Sequence, residues 1–135
     1  MEIKINGNPG IYYLVDVILR SAEGTIMLNH VDVDPVYTNA KRALLTAAIG
    51  YCYYALPKEE QSLDTVYKLL VEEDCLVYPS SFSDKFDIYM PSKKNDDIRC
   101  ICDCFEEYST LNVQTRQGVV TATVCALASF LGPNI

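Results

Sequence analysis

Three cysteines at alternate positions, Cys100-Ile101-Cys102-Asp103-Cys104, are the side chains of this sequence best suited to metal or redox chemistry. On a helix Cys100 and Cys104 share a face, and Cys102 points away from it. A structural zinc site takes four ligands, commonly as two separated pairs, and only Cys100 with Cys104 has the spacing of one such pair. Free cysteine is also among the most frequently buried residue types. The spacing favours reduced thiols packed in a core, with a metal or redox site as the alternative.

Other catalytic motifs are absent or weak. The sequence has no phosphate-binding G-x-x-x-x-G-K-[ST] loop, no G-x-S-x-G and no H-E-x-x-H. Its one histidine, His30, is predicted in a surface loop. The adjacent carboxylates Glu72/Glu73 and Glu106/Glu107 could act as acids or bases, but such pairs on helices usually form a solvated face. The sequence therefore predicts a chain that is not an enzyme and that holds no cofactor and no metal.

The composition excludes several classes of protein. With 135 residues, 50% of them apolar, the chain fits one globular domain and is too hydrophobic for a disordered tail. No apolar run is long enough to span a bilayer, and the N-terminal MEIKINGNPG lacks the apolar core of a secretory signal. Six cysteines are too few for a disulfide scaffold, which indicates a reducing, cytosolic setting. The net charge of −7 disfavours nucleic acid as a partner.

Acidic residues concentrate between Glu72 and Glu107, where only four basic residues accompany them. An acidic surface attracts basic proteins and repels nucleic acid, although a solvated surface without a partner is the alternative. Tyr53 is added to the predicted contact residues because its amphipathic ring suits a partly wet interface. The predicted partner-contact residues are Glu72, Glu73, Asp74, Asp96, Asp97, Asp103, Glu106, Glu107 and Tyr53.

Two helices that begin at proline occupy the first part of the chain. Asn8-Pro9 supplies a cap and a first helical residue, so a helix is predicted over about 9–21, ending at Gly24, with residues 1–8 as a linker. Asp34-Pro35 begins a second and longer helix, which Leu56-Pro57 ends. Its apolar face is rich in alanine, which lets a neighbouring helix approach closely. The residues at helical spacing on this face are Ala40, Ala43, Leu44, Ala47, Ala48, Tyr51, Cys52, Tyr54 and Ala55.

Three more segments complete the predicted architecture. Ser62 is predicted to cap a third helix, and a fourth is predicted after Asp96 and Asp97, whose charges suit its positive end. The segment 75–95 has no clean period and is predicted to be a long irregular loop, with one helical turn around Ser83–Tyr89.

The last segment, about Val113–Leu131, has strand-like propensity, but its length and its helical spacing favour a helix ended by Gly132-Pro133. About five helices without strands predict an all-α bundle, as a single domain over residues 1–135.

The second helix and the C-terminus resemble the all-α domain of type IV coupling proteins, the conjugative DNA-transfer ATPases. In that family an Asp-Pro-x-aromatic start leads into an Ala/Leu-rich helix, then a loop similar to residues 57–61 and a helix like 62–71 with a Leu-Leu pair. The matching runs are Asp34-Pro35-x-Tyr37-x-x-Ala40-x-x-Ala43-Leu44-Leu45-x-Ala47-x-Ile49-x-Tyr51, Leu69-Leu70 and Leu127-Ala128-Ser129-Phe130-Leu131-x-Pro133-x-Ile135.

The resemblance implies that the chain is one module of a larger, membrane-anchored and RecA-like hexameric ATPase. The nucleotide-binding loop and the membrane anchor would belong to the rest of that protein. The implied role is to receive substrates on the cytoplasmic side: relaxase, accessory DNA-processing factors or secreted proteins. An inserted domain of this kind is expected to have neighbouring termini. The alternatives are a nucleic-acid-binding module of the same machinery and an unrelated helical protein with a cysteine-based metal or redox site.

Overall fold

The computed structural model describes residues 5–28, 35–74, 82–91 and 95–132, and this part of the chain contains helices and no strand. The prediction of an all-α bundle is confirmed, with six α-helices where about five were expected. The elements are α1 (Asn8–Leu28), α2 (Pro35–Ala55), a 3₁₀ turn (Lys58–Glu60), α3 (Leu63–Asp74), α4 (Phe82–Tyr89), α5 (Asp96–Ser109) and α6 (Val113–Leu131).

Helix α2 is the centre of the bundle and packs against each of the other five helices, most extensively against α5. Small residues make this approach possible. A Cβ atom at Gly50 would stand 2.5 Å from Cγ2 of Ile101, so the α2 backbone lies directly on that side chain. The close approach expected from the alanine-rich face is therefore confirmed, and α5 is the helix that makes it. The α2 residues buried in the core are Ala40, Ala43, Leu44, Leu45, Ala47, Ala48, Ile49, Tyr51 and Cys52.

The helix directions follow from contacts near the helix ends. Asn8, at the start of α1, is hydrogen-bonded to the Tyr54 hydroxyl at the end of α2 and to the Asp97 carbonyl at the start of α5. Helices α1 and α5 therefore both run antiparallel to α2. The hydroxyl of Tyr37, near the start of α2, lies against Gly118 near the start of α6. Helices α1 and α6 thus begin at opposite ends of the bundle, which is the arrangement that neighbouring termini require.

Side-chain caps set the starts of three helices. The Ser62 hydroxyl accepts a hydrogen bond from the Thr65 N–H at 3.2 Å, as predicted for the cap of α3. Asn95 and Asn112 cap α5 and α6 through their side-chain oxygens. Helix α2 begins at Pro35 and ends before Pro57, and α6 ends just before Gly132, whose φ of 76° suits glycine. These predicted boundaries are confirmed.

Three predicted boundaries are wrong. Helix α1 does not end at Gly24 but continues to Leu28, because a glycine costs a helix only about 1 kcal/mol and the rest of the helix can offset it. The linker predicted over residues 1–8 is wrong for its described part, because Ile5 packs against the core and Asn8 is buried, with hydrogen bonds to α2 and α5. Residues 1–4 lie outside the described residues. The single turn expected around Ser83–Tyr89 is a two-turn helix, Phe82–Tyr89.

An aromatic cluster explains why α4 forms in a serine-rich segment. Phe82 and Phe86 are one turn apart and both are buried. Phe86 stacks on Phe105 of α5 with ring centroids 4.1 Å apart, and Phe82 meets Tyr51 of α2 edge to face at 5.7 Å. Helix α4 has only eight residues and a weak intrinsic helix propensity. The burial of its two phenylalanines compensates for this weakness.

Candidate functional site

One side of α5 is acidic and faces solvent. The opposite side is in the core, where Ile101, Phe105 and Tyr108 are buried. The only cation of this helix is Arg99, which pairs with Asp96 at 3.5 Å. We name the exposed carboxylates of this helix the α5 acidic face: Asp96, Asp97, Asp103, Glu106 and Glu107.

A groove lies beside the α5 acidic face, between α1 and α5 and above α2. It encloses about 270 Å³, and Val15 and Ala43 give it an apolar floor. Arg42 is held in place by Asp16, with its guanidinium 3.3 Å from a carboxylate oxygen. The groove therefore has an apolar floor, and its walls carry Glu107 of the α5 acidic face together with Arg42. Its lining residues are Tyr12, Val15, Asn39, Arg42, Ala43, Thr46, Cys104 and Glu107.

Two exposed tyrosines of α1, Tyr12 and Tyr13, were not predicted as contact residues. Tyr12 lines the groove, and Tyr13 is 72% exposed. Their exposure could have been predicted from the sequence, because neither residue shares the apolar helix face of Ile11, Val15 and Ile18. Burial and the nearby thiols of α5 raise the pKa of Tyr12.

The acidic run at the end of α3 is separate from the α5 acidic face. Glu72 is half-buried and forms an ion pair with Lys85 of α4 at 2.6 Å. Glu73 is only 5% exposed, and its carboxylate accepts hydrogen bonds from Ser83 and Tyr108. The expectation of a solvated face is wrong for Glu73, because three donors from α4 and α5 replace its water. The side chain of Asp74 lies outside the described residues.

Tyr53 has a structural contact of its own. Its hydroxyl accepts a hydrogen bond from the Gly7 N–H at 3.2 Å, and its ring meets Tyr54 edge to face. Tyr53 is half-buried, which fits a partly wet position. It contacts Gly7, just before α1, and is not part of the α5 acidic face. Tyr51 is buried as predicted, whereas Tyr54 is half-buried and donates to Asn8 at 2.6 Å.

The cysteines of α5 differ in exposure. Cys102 is buried, Cys104 is half-buried and Cys100 is exposed, so the prediction of core thiols is wrong for Cys100. Burial, with the nearby Glu107 and other acidic groups of α5, raises the pKa of Cys104 to about 11. Burial likewise raises the pKa of Cys52 to about 11. Among the described residues no group of three or more His, Cys, Asp or Glu side chains is arranged to hold a metal ion. His30 and Cys75 lie outside the described residues.

Comparisons with known proteins add no relative: no family model matches the chain, and no curated protein or solved structure matches it either. None of the described helices combines the length and the apolar character that crossing a bilayer requires. The described part of the chain is an all-α domain with an acidic face on α5 and a groove beside it.

Proposed function

We propose that this chain is a protein-recognition domain that binds basic segments of its partners on the α5 acidic face. The observation that carries the proposal is the segregation of charge on α5. All five carboxylates of the helix are exposed, with Arg99 as the one cation on α5 itself, while the other side of the helix is buried. Like charges held this close raise the local negative potential, which speeds the encounter with a positively charged partner.

The groove beside α5 gives such a partner an apolar seat. Charge alone steers association, whereas affinity comes mainly from side chains that are buried at the centre of an interface. Val15 and Ala43 form the floor, and Tyr12 stands at the edge as a large amphipathic ring. A partner can therefore place an apolar side chain in the groove and its lysines or arginines over Asp103 and Glu107.

The resemblance to type IV coupling proteins suggests the biological setting of this recognition. In that setting the domain is the substrate receptor of a conjugative DNA-transfer ATPase and lies on the cytoplasmic face of the membrane. Its partners are relaxase, relaxosome accessory proteins or secreted protein substrates, and the rest of the coupling protein supplies the ATPase. The domain itself binds neither DNA nor membrane, because its net charge of −7 opposes both phosphate and anionic lipid.

A titration with the purified relaxase of the same conjugative system tests the proposal. Asp103→Lys is expected to weaken binding by about tenfold, because it both removes an attraction and adds a repulsion. Glu59→Lys is the matched control, since Glu59 is exposed on the 3₁₀ turn and the change in net charge is the same. Binding to wild type is expected to weaken as salt is added.

Two outcomes would overturn this function. One is an equal effect of Asp103→Lys and Glu59→Lys on relaxase binding, which would assign the effect to net charge and not to the α5 acidic face. The other is tight binding to DNA in a gel shift at moderate salt without any protein partner. That result would favour a nucleic-acid-binding module.

A further inference from the structure

A second groove lies on another part of the bundle, between α3, α4 and the end of α2. It encloses about 460 Å³, which is within the size range of ligand and docking sites. Apolar side chains from α2, α3 and Leu56 contribute to its lining, and charged side chains come from α3, α4 and the 3₁₀ turn. The lining residues are Tyr51, Ala55, Leu56, Glu60, Thr65, Lys68, Leu69, Glu72, Lys85 and Tyr89.

Two large apolar side chains stand in solvent at the α4 side of this groove. Ile88 is 69% exposed and Tyr89 is 63% exposed, and Tyr89 is itself part of the groove lining. Adjacent exposed apolar residues of this size mark interaction surfaces more often than isolated ones do. A projecting pair therefore lies next to a cavity with apolar walls, which is the local geometry that a self-complementary interface requires.

The charges of this groove are balanced, unlike those of the chain as a whole. Lys68 and Lys85 accompany Glu60 and Glu72. Lys85 and Glu72 pair with each other at 2.6 Å, while Lys68 and Glu60 make no ion pair within the described part of the chain. An interface with two-fold symmetry can place Lys68 of one copy against Glu60 of the other. The symmetry then repeats this contact, so the dimer would contain two such pairs.

We propose that this groove is the site at which two copies of the chain associate, with Tyr89 of each copy entering the groove of the other. A second copy carries the same net charge of −7, so contact through the α5 acidic face would be repulsive. The balanced groove removes that repulsion locally and offers apolar area to bury. A basic partner, in contrast, would favour the α5 acidic face, so this inference is independent of the proposed function.

Sedimentation velocity over a wide concentration range tests the association. Wild type is expected to show a reversible monomer–dimer equilibrium. Lys68→Glu and Glu60→Lys are each expected to weaken it by about tenfold, because each places like charges opposite each other. An equimolar mixture of the two variants is expected to restore association, since both contacts of the heterodimer then join opposite charges: one is the unchanged Lys68–Glu60 pair, and the other is the same pair with its charges exchanged.

The role of Tyr89 has a matched control on α1, at a tyrosine that does not line this groove. Tyr89→Ser is expected to weaken the dimer, whereas Tyr13→Ser, at a tyrosine that is 72% exposed on α1, is expected to leave it unchanged. The chain has no tryptophan, so Tyr89→Trp also supplies a single tryptophan, which can be excited selectively over the tyrosines and whose emission should shift to the blue as the concentration rises. A chain that stays monomeric throughout the range, or equal effects of the two serine variants, would overturn the inference.

Discussion

The hydroxyl of Tyr108 donates a hydrogen bond of 2.7 Å to the carboxylate of Glu73, and both side chains are buried. The same carboxylate accepts from the N–H and the hydroxyl of Ser83, at 3.1 and 2.5 Å. Ser83 lies in the first turn of α4, so the negative charge of Glu73 stands at the positive end of that helix. One charged side chain of α3 thus holds α4 and α5 in place.

Tyr108→Phe is expected to lower the free energy of unfolding by about 1.5–3 kcal/mol, because the buried carboxylate loses a charge-assisted hydrogen bond. Glu73→Ala should cost more, since it leaves the Ser83 N–H and the Tyr108 hydroxyl without their acceptor. Urea unfolding followed by circular dichroism measures both. The control is Tyr13→Phe, which removes a hydroxyl from an exposed ring. Equal stabilities of Tyr108→Phe and Tyr13→Phe would show that the buried bond contributes nothing.

Gly50→Ala is expected to destabilise the fold by about 1–3 kcal/mol, although alanine is the better helix former. The added Cβ would stand 2.5 Å from Cγ2 of Ile101 and would push α2 and α5 apart. A double-mutant cycle with Ile101→Ala tests this cause, because the smaller side chain makes room for the new methyl group. The two effects should sum to more than the effect of the double variant. Strict additivity would contradict the close approach.

Alkylation with iodoacetamide should separate the thiols of α5. Cys100 is exposed and is expected to react first, while the buried Cys102 serves as an internal control. The pKa of Cys104 is raised to about 11, so this thiol stays protonated at pH 8 and reacts slowly. Since only the thiolate attacks, its rate should rise about tenfold per pH unit until the pH approaches that pKa. Peptide mapping by mass spectrometry measures each site, and a Cys104 rate that levels off near pH 9 would contradict the raised pKa.

The boundaries of α2 could be predicted because local chemistry sets them. Proline fits the first helical position at Pro35, and the residue before Pro57 disfavours the helix. The cap of α3 by Ser62 is local in the same sense. The end of α1 was missed because Gly24 is a weak signal that the rest of the helix outweighs.

Two other features depend on residues that are distant in the sequence. Helix α4 forms because Phe82 and Phe86 reach aromatic rings of α2 and α5, and no local pattern shows those rings. The five exposed carboxylates of α5 were all among the predicted contact residues, but the sequence did not separate them from the acidic run at the end of α3. Glu73 was misassigned to a solvated face because the donor from Tyr108 lies 35 residues further along the chain.

The central position of α2 affects the synthesis of this protein on the ribosome. Helix α2 is made early, but two of the helices that cover it, α5 and α6, are made last. Until residue 131 has left the exit tunnel, α5 and α6 cannot both pack against the alanine-rich side of α2. The nascent chain is therefore expected to complete its core only after translation of the described helices ends, and to present apolar surface to chaperones until then.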